Sequence, residues 1–265
     1  MSVLGLGLRR GWIEFRLTVT NAGEVMGWLW LPVAALVVMY VLRDNTVPGT
    51  DFSLGAQSIP GILGMNVVMT GVVGLALALT SDRSDGTLLR AKATPNGTVG
   101  YLVGRVLGQA GMTVATVVAV LIPAAVLFSG LAPNWAALLF VMVLGLVATL
   151  PLGALLGSLF VNPQSLGFVT MLVMVLVGIS GVFYPLTALP EWLQWVAQVF
   201  PLYWLGLGMR WALLPDGLVV AEIGESWRVL ELVGVLGAWT VVGFVVAPAV
   251  LRRTARRATG AAVKP

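Results

Sequence analysis

Apolar residues in this chain gather in long runs separated by short polar or charged clusters. Six runs are long enough to cross a bilayer: residues 25–42, 61–79, 106–128, 135–160, 166–184 and 232–251. Residues 106–190 contain no Asp, Glu, Lys or Arg at all. A water-soluble fold needs charge on its loops and outer faces, whereas one helical span takes roughly 20 apolar residues and a hairpin loop only a few more. The pattern predicts an all-α membrane protein with six transmembrane helices. Trp28, Trp30, Tyr40, Trp135 and Tyr184 fall near the predicted ends, where amphipathic rings favour the headgroup level.

Two segments carry helical periodicity without the length to span. Leu8, Trp12, Phe15 and Val19 recur at helical spacing with Arg9, Glu14 and Arg16 off the stripe, which predicts an N-terminal amphipathic interfacial helix. The same charges interrupt the apolar run, so a cleaved signal is not expected. Between the fifth and sixth spans, Trp192, Leu193, Trp195, Val196, Val199 and Phe200 share one face, with Glu191, Gln194 and Gln198 off it. Pro201 breaks that helix, and residues 202–214 follow with Arg210 among them. Thirteen helical residues reach about 20 Å against a hydrocarbon core of roughly 30 Å. The expectation is a pair of short re-entrant or surface-lying helices on the outer side; a seventh span is the competing reading and would put the basic tail outside. Gly100, Gly104 and Gly108, and likewise Gly153 and Gly157, form small-residue ridges, expected to serve packing within the chain.

Charge sets the orientation. With both ends inside, the inner segments hold Arg9, Arg10, Arg16, Arg83, Arg90, Lys92, Arg105, Arg252, Arg253, Arg256, Arg257 and Lys264, leaving only Arg43, Arg210 and Arg228 outside. This satisfies the positive-inside rule, so the calculated pI near 10 reflects topology and lipid anchoring and not a nucleic-acid partner. The location expected is the plasma membrane, multi-pass, with both termini cytoplasmic. Composition agrees: 58% of residues are hydrophobic, 10% are charged and the mean hydropathy is +0.97. The 265 residues leave room for a single transmembrane domain, residues 1–265, and nothing more. Cys and His are both absent, which removes disulfides, most zinc sites and every Ser-His or Cys-His nucleophile pair. No catalytic residue and no metal site is expected.

The chain carries no engine of its own. Its two lysines, Lys92 and Lys264, precede Ala and Pro, so no phosphate-binding G-x-x-x-x-G-K-[ST] loop is present. No Asp, Glu or His lies deep in a predicted span, as a proton- or sodium-driven carrier usually requires. The long inner loop supplies a surface for an external motor. Ser84 or Asp85 is expected to cap a short helix ending before Pro95 and exposing Arg90 and Lys92. An ordinary capped loop is the alternative.

That loop contains Asp82-Arg83, Gly86-Thr87-Leu88 and Thr94-Pro95. A second block holds Ser180-Gly181, Tyr184-Pro185, Leu189-Pro190 before Trp192-Leu193, Phe200-Pro201 and Arg210. Together, over essentially the whole chain, these blocks resemble type-2 ATP-binding-cassette (ABC) permeases. Leu89 stands where that family often has an acid, and Asp85 where a basic residue is common. The resemblance implies a half-transporter: two permease subunits, identical or related, assembled with two separately encoded cytosolic ATPases that bind the ATP and magnesium. No cofactor is expected on this chain. Coupling to the ATPases would fall to Trp12 of the N-terminal helix and to Asp82, Arg83, Asp85, Gly86, Thr87, Leu88, Arg90, Thr94 and Pro95. Bacterial relatives export drugs, self-made antibiotics, lipids or lipid-linked glycans. The short chain is most similar to drug and natural-product resistance permeases.

The expected substrate is amphipathic or lipophilic. Asn66, Thr70, Gln109, Thr113, Thr149 and Ser180 are candidate lining positions, the alternative being hydrogen bonds between helices. Phe183, Tyr184, Trp192 and Trp195 are a candidate outer gate or an aromatic belt. An exporter of a lipid or lipid-linked polysaccharide is the runner-up, and a non-transporting scaffold or anchor is the reading from another class. No charged ring or filter-like repeat suggests a channel.

Overall fold

The computed structural model describes residues 3–47, 52–93, 97–160 and 162–261. Thr94 and Pro95 lie outside the described residues. Among those described the fold is all-helical, with one isolated bridge between Thr46 and Ser53 and no strand.

Its axis is a rod from Leu54 to Ser84, made of α3 (Leu54–Val68), a π-helical turn (Met69–Gly74) and α4 (Leu75–Ser84). The rod is buried over 72% of its most apolar window, far more than any other long helix, so the rest of the molecule is built around it. Ser53 starts it by accepting a hydrogen bond from the Ala56 N–H. Around the rod stand α2 (Ala22–Val41), α6 (Gly97–Leu127), α7 (Trp135–Leu159) and α11 (Val229–Ala261). Asn21 and Asn134 cap α2 and α7 through their side-chain oxygens. These five helices are long and apolar enough to cross a membrane.

The expected spans are displaced in an informative way. The second and third run past their predicted limits, to Ser84 and back to Gly97, so Asp82 and Arg105 stand inside helices and not in a loop. Their mutual neutralisation, described below, lets the helices continue through them. The fifth differs most: α8 (Leu166–Ile179) has 14 residues, about 21 Å of helix and short of a full span. It stops because Gly181 turns the chain with φ +64. Among the described residues there are therefore five helices long enough to span and this shorter apolar one, where six spans were expected.

Expectations for the short helices change too. In α1 (Val3–Thr20) the apolar stripe is divided: Phe15 packs at Gly111 of α6, and glycines make the closest approach. Gly7 and Gly11 are buried against α6, where a Cβ on Gly11 would stand 2.9 Å from the Gly104 carbonyl; Leu8, Trp12 and Val19 face outward. The Gly100, Gly104 and Gly108 ridge is thus the seat of α1. The Gly153 and Gly157 ridge likewise meets the rod, with carbonyls of Val72 and Ala76 2.9 Å from the Cβ positions. Both ridges serve packing within the chain.

Beyond α8 lie α9 (Glu191–Val199) and α10 (Pro201–Leu213), separated by extended Phe200, with Pro201 opening the second helix. The pair is two short helices and not a seventh span. α9 turns its Trp192, Trp195 and Val199 outward, while Gln194 and Gln198 face the protein. α10 is almost wholly buried, wedged against α3, α7 and α11. It fits because Gly64 meets Gly206 backbone to backbone: a Cβ on Gly64 would lie 2.8 Å from the Gly206 nitrogen.

Gly64→Val should therefore lower stability by about 1–3 kcal/mol, the usual cost of forcing volume into a packed interior. Thermal unfolding of the detergent-solubilised protein reads this as a lower midpoint. Gly234→Val, where nothing lies within 4 Å of the added Cβ, should leave the midpoint unchanged.

Candidate functional site

At the end of the bundle where α1, α4 and α6 meet, five polar side chains form one network. The Arg105 guanidinium grips the Asp82 carboxylate with two bonds of 2.5 Å, one from Nε and one from Nη2. Its remaining Nη1 donates to Glu14 at 3.3 Å, and Glu14 accepts from Arg10 Nε at 2.8 Å. The Tyr101 hydroxyl donates to Asp82 at 2.6 Å, and the Arg10 guanidinium lies 4.6 Å above the Tyr101 ring. A bidentate pair with every other oxygen hydrogen-bonded is the geometry in which a partly buried ion pair offsets its desolvation. The network locks the end of the rod to α6 and α1.

The segment after α4 hangs from this lock. Arg83 donates to the Ser158 and Phe160 carbonyls at 3.3 Å each, closing the last turn of α7. After Ser84 the chain turns at Gly86, φ +72, into the short helix α5 (Thr87–Lys92). Gly86 itself is the cap position of α5, in place of the expected Ser84 or Asp85; Ser84 bonds back to the Ser81 carbonyl at 2.7 Å. A left-handed backbone strains any residue with a Cβ, which is why glycine suits this turn. The inner face of α5 buries Leu88 and Ala91 in an apolar cluster with Leu75, Leu79, Tyr101 and Leu150.

The residues expected to meet a partner therefore divide. Asp82, Arg83 and Leu88 are committed inward, and Asp82 is 7% exposed, so it anchors the segment and is no docking surface. Asp85 and Arg90 are exposed, Thr87 is half-buried, and Trp12 is exposed on α1. Both α1 and α5 pack on α6. Leu89, noted in the sequence only for breaking the family pattern, is 68% exposed on α5 beside Arg90, an exposure the sequence did not single out. Its signal was available: an aliphatic residue between a capped turn and Arg90, on the outward side.

The lining candidates are buried inside the chain. Thr70 and Thr113 share a hydroxyl bond of 2.8 Å, Gln109 donates to the Thr70 carbonyl at 2.8 Å, and Asn66 accepts from Thr116 at 2.8 Å. Thr149 bonds back to the Gly145 carbonyl, and Ser180 is buried at the end of α8. The first four tie the rod to α6, which is the interhelical alternative, and Gln109 also borders a cavity beside the rod. The aromatic candidates are split. Phe183 and Tyr184 are half-buried in the turn after α8, where Ser58 donates to the Phe183 carbonyl at 2.9 Å. Trp192 and Trp195 are exposed on α9, and no ring pair among the described residues joins the four.

At the same end, Arg210 is 3% exposed and pairs with Glu222 at 2.6 Å while donating to the Gly181 carbonyl at 3.2 Å. One side chain thus joins α10, the turn after α8 and the loop before α11. The sequence flagged Arg210 but not its partner, because Glu222 looked like one more acid in an outer loop.

The family model described as ABC-2 family transporter protein matches residues 33–247. The chain belongs to this family. It is 23% identical over 206 residues to "Putative transport permease YvfS" of Bacillus subtilis (strain 168), covering 77% of this chain and 83% of that protein. The protein is accordingly a multi-pass membrane permease subunit of the ABC transporter class, and the family works with ABC ATPase partners. Within the permease, Asp82, Tyr101 and Arg105 fall in the matched region, whereas Arg10 and Glu14 of α1 precede it.

Asp82→Asn should weaken the hold on Arg105 and lower stability by about 2–4 kcal/mol, near the range for breaking a buried pair. Tyr101→Phe, which removes one neutral donor, should cost about 1 kcal/mol. Thermal unfolding orders the two, and faster trypsin cleavage after Arg90 in the Asp82 variant checks that α5 has been released.

Proposed function

We propose that this permease is the membrane half of an ATP-driven exporter for an amphipathic or lipophilic compound of the drug or natural-product type. Two permease subunits, identical or related, work with two cytosolic ATPases that carry ATP and magnesium. Both termini lie in the cytoplasm, and α8 completes six crossings as the shortest of them. The observation that carries the reading is a surface helix on a rigid mount: Asp85 before α5, and Leu89 and Arg90 on it, face outward while Leu88, Asp82 and Arg83 fasten it to α6, α7 and the central rod. A push on α5 reaches the axis of the bundle without being absorbed by a flexible loop. The chain carries no G-x-x-x-x-G-K-[ST] phosphate loop, which supports an external motor over one within this subunit.

Reconstitution with a cognate ABC ATPase, followed by compound-stimulated ATP turnover and vesicle uptake, tests the reading. Gly86→Val strains the left-handed turn by about 1–2 kcal/mol, and Leu88→Ala loosens the inner face of α5. Both should depress uptake while membrane insertion stays normal, so ATP is consumed with less transport per turnover. Unaltered uptake in both variants would remove the coupling role. Stimulation by lipid-linked glycans but by no drug-like compound would move the substrate to the lipid class.

A further inference from the structure

A cavity of about 460 Å³ opens beside the charge network, between α1, α2, the rod and α6. Its size falls within the roughly 300–1,000 Å³ of small-molecule sites. Phe15, Trp28, Leu77 and Met112 wall it with apolar surface. Glu24 and Gly27 are exposed at its α2 side and Leu77 is exposed on the rod, so the hollow is open laterally at that point.

The charge around it does not balance. Arg10 and Arg105 are matched by Glu14 and Asp82, and those four groups cancel within the network. Glu24 is the remaining lining charge, and it takes part in no ion pair among the described residues. Its position is fixed, because Asn21 accepts its backbone N–H at 3.3 Å in the capped first turn of α2. A carboxylate in a first helical turn is favoured by the helix dipole, which explains its sign but not the apolar hollow beside it. Trp28 is one turn further along the same helix, and no arginine covers its ring among the described residues.

The backbone seats the wall residues closely. Gly74, at the end of the π-helical turn, faces the Trp28 ring and the Gln109 amide; a Cβ there would stand 2.7 Å from Gln109 Nε2 and closer still to Trp28. π-Helical turns inside α-helices frequently mark functional positions.

We propose that this cavity binds a lipophilic cation: an apolar body seated against Phe15, Leu77 and Met112, with its positive centre between the Glu24 carboxylate and the Trp28 face. A carboxylate and an indole ring together select positive charge, the ring contributing most when the cation is partly desolvated. The proposal deepens the permease reading by naming a substrate class and its seat within one subunit. The shared chemistry is an onium or protonated amine, whether carried by a soluble amphiphile or by an amine-headed lipid.

The test is equilibrium binding of radiolabelled tetraphenylphosphonium to the purified full chain in the neutral detergent dodecyl maltoside, without ATPase. Tetraphenylborate, the same shape with the opposite sign, should bind at least about tenfold more weakly. Glu24→Gln, at an exposed position, should weaken tetraphenylphosphonium binding by about tenfold, and Trp28→Leu by about fivefold. An unchanged unfolding midpoint in Glu24→Gln keeps the test independent of folding. Competition by phosphatidylethanolamine but not phosphatidylglycerol assigns the site to an amine-headed lipid, and no competition assigns it to a soluble amphiphile. Equal binding of the two ions, or unchanged affinity in Glu24→Gln, would overturn the proposal. Intact binding with no export would sink the transport reading and leave the site standing.

Discussion

The structure depends on how an arginine is held within an apolar helix. Arg105 stands about two turns inside α6 and half-buried, where a charge left unmatched would carry the cost of its desolvation. Asp82 on the rod removes that cost by meeting the guanidinium edge to edge, and Glu14 on α1 takes the remaining nitrogen. Three helices far apart in sequence are thereby set at one level. A lysine would not substitute, since its point charge cannot make the paired contact and still reach Glu14.

Where the network ends, close backbone approach takes over. Lipid tails are as apolar as the helices they solvate, so association within a membrane depends on contact area and hydrogen bonds more than on apolar burial. Here the contact comes from glycine: Gly11 on Gly104, Gly153 on the carbonyls of the π-helical turn, and Gly64 on Gly206. The last of these admits α10, too short to cross a bilayer, into the middle of the bundle. Its Arg210 is tolerated for the same reason as Arg105, because Glu222 and the Gly181 carbonyl match it.

The mount of α5 and the cavity share one wall. Ser81 and Arg105 border the hollow, and Asp82, the next residue along, holds the segment that leads to Gly86. A ligand beside α2 and a protein pressing on α5 would thus both act on the same turn of the rod. This adjacency gives the permease a physical route between an outer push and an inner occupant that passes through packed side chains and not through a loop.

Much of this was legible in the residues alone. Apolar runs bounded by charge fixed the helical membrane class and the five long helices, because bilayer thickness sets helix length independently of what packs beside it. The break at Pro201 and the backbone turn at Gly86 were legible for a local reason: proline and glycine act on their own backbone. The partnerships were not. Asp82 and Arg105 read as loop residues because sequence cannot show that two charges 23 positions apart cancel and let both helices run on. The outward Leu8, Trp12 and Val19 of α1, the early stop of α8 and the pairing of Arg210 with Glu222 were decided by which neighbour stood opposite. The hydrocarbon environment dictates where helices can exist, and only the tertiary contacts dictate which of their faces meet.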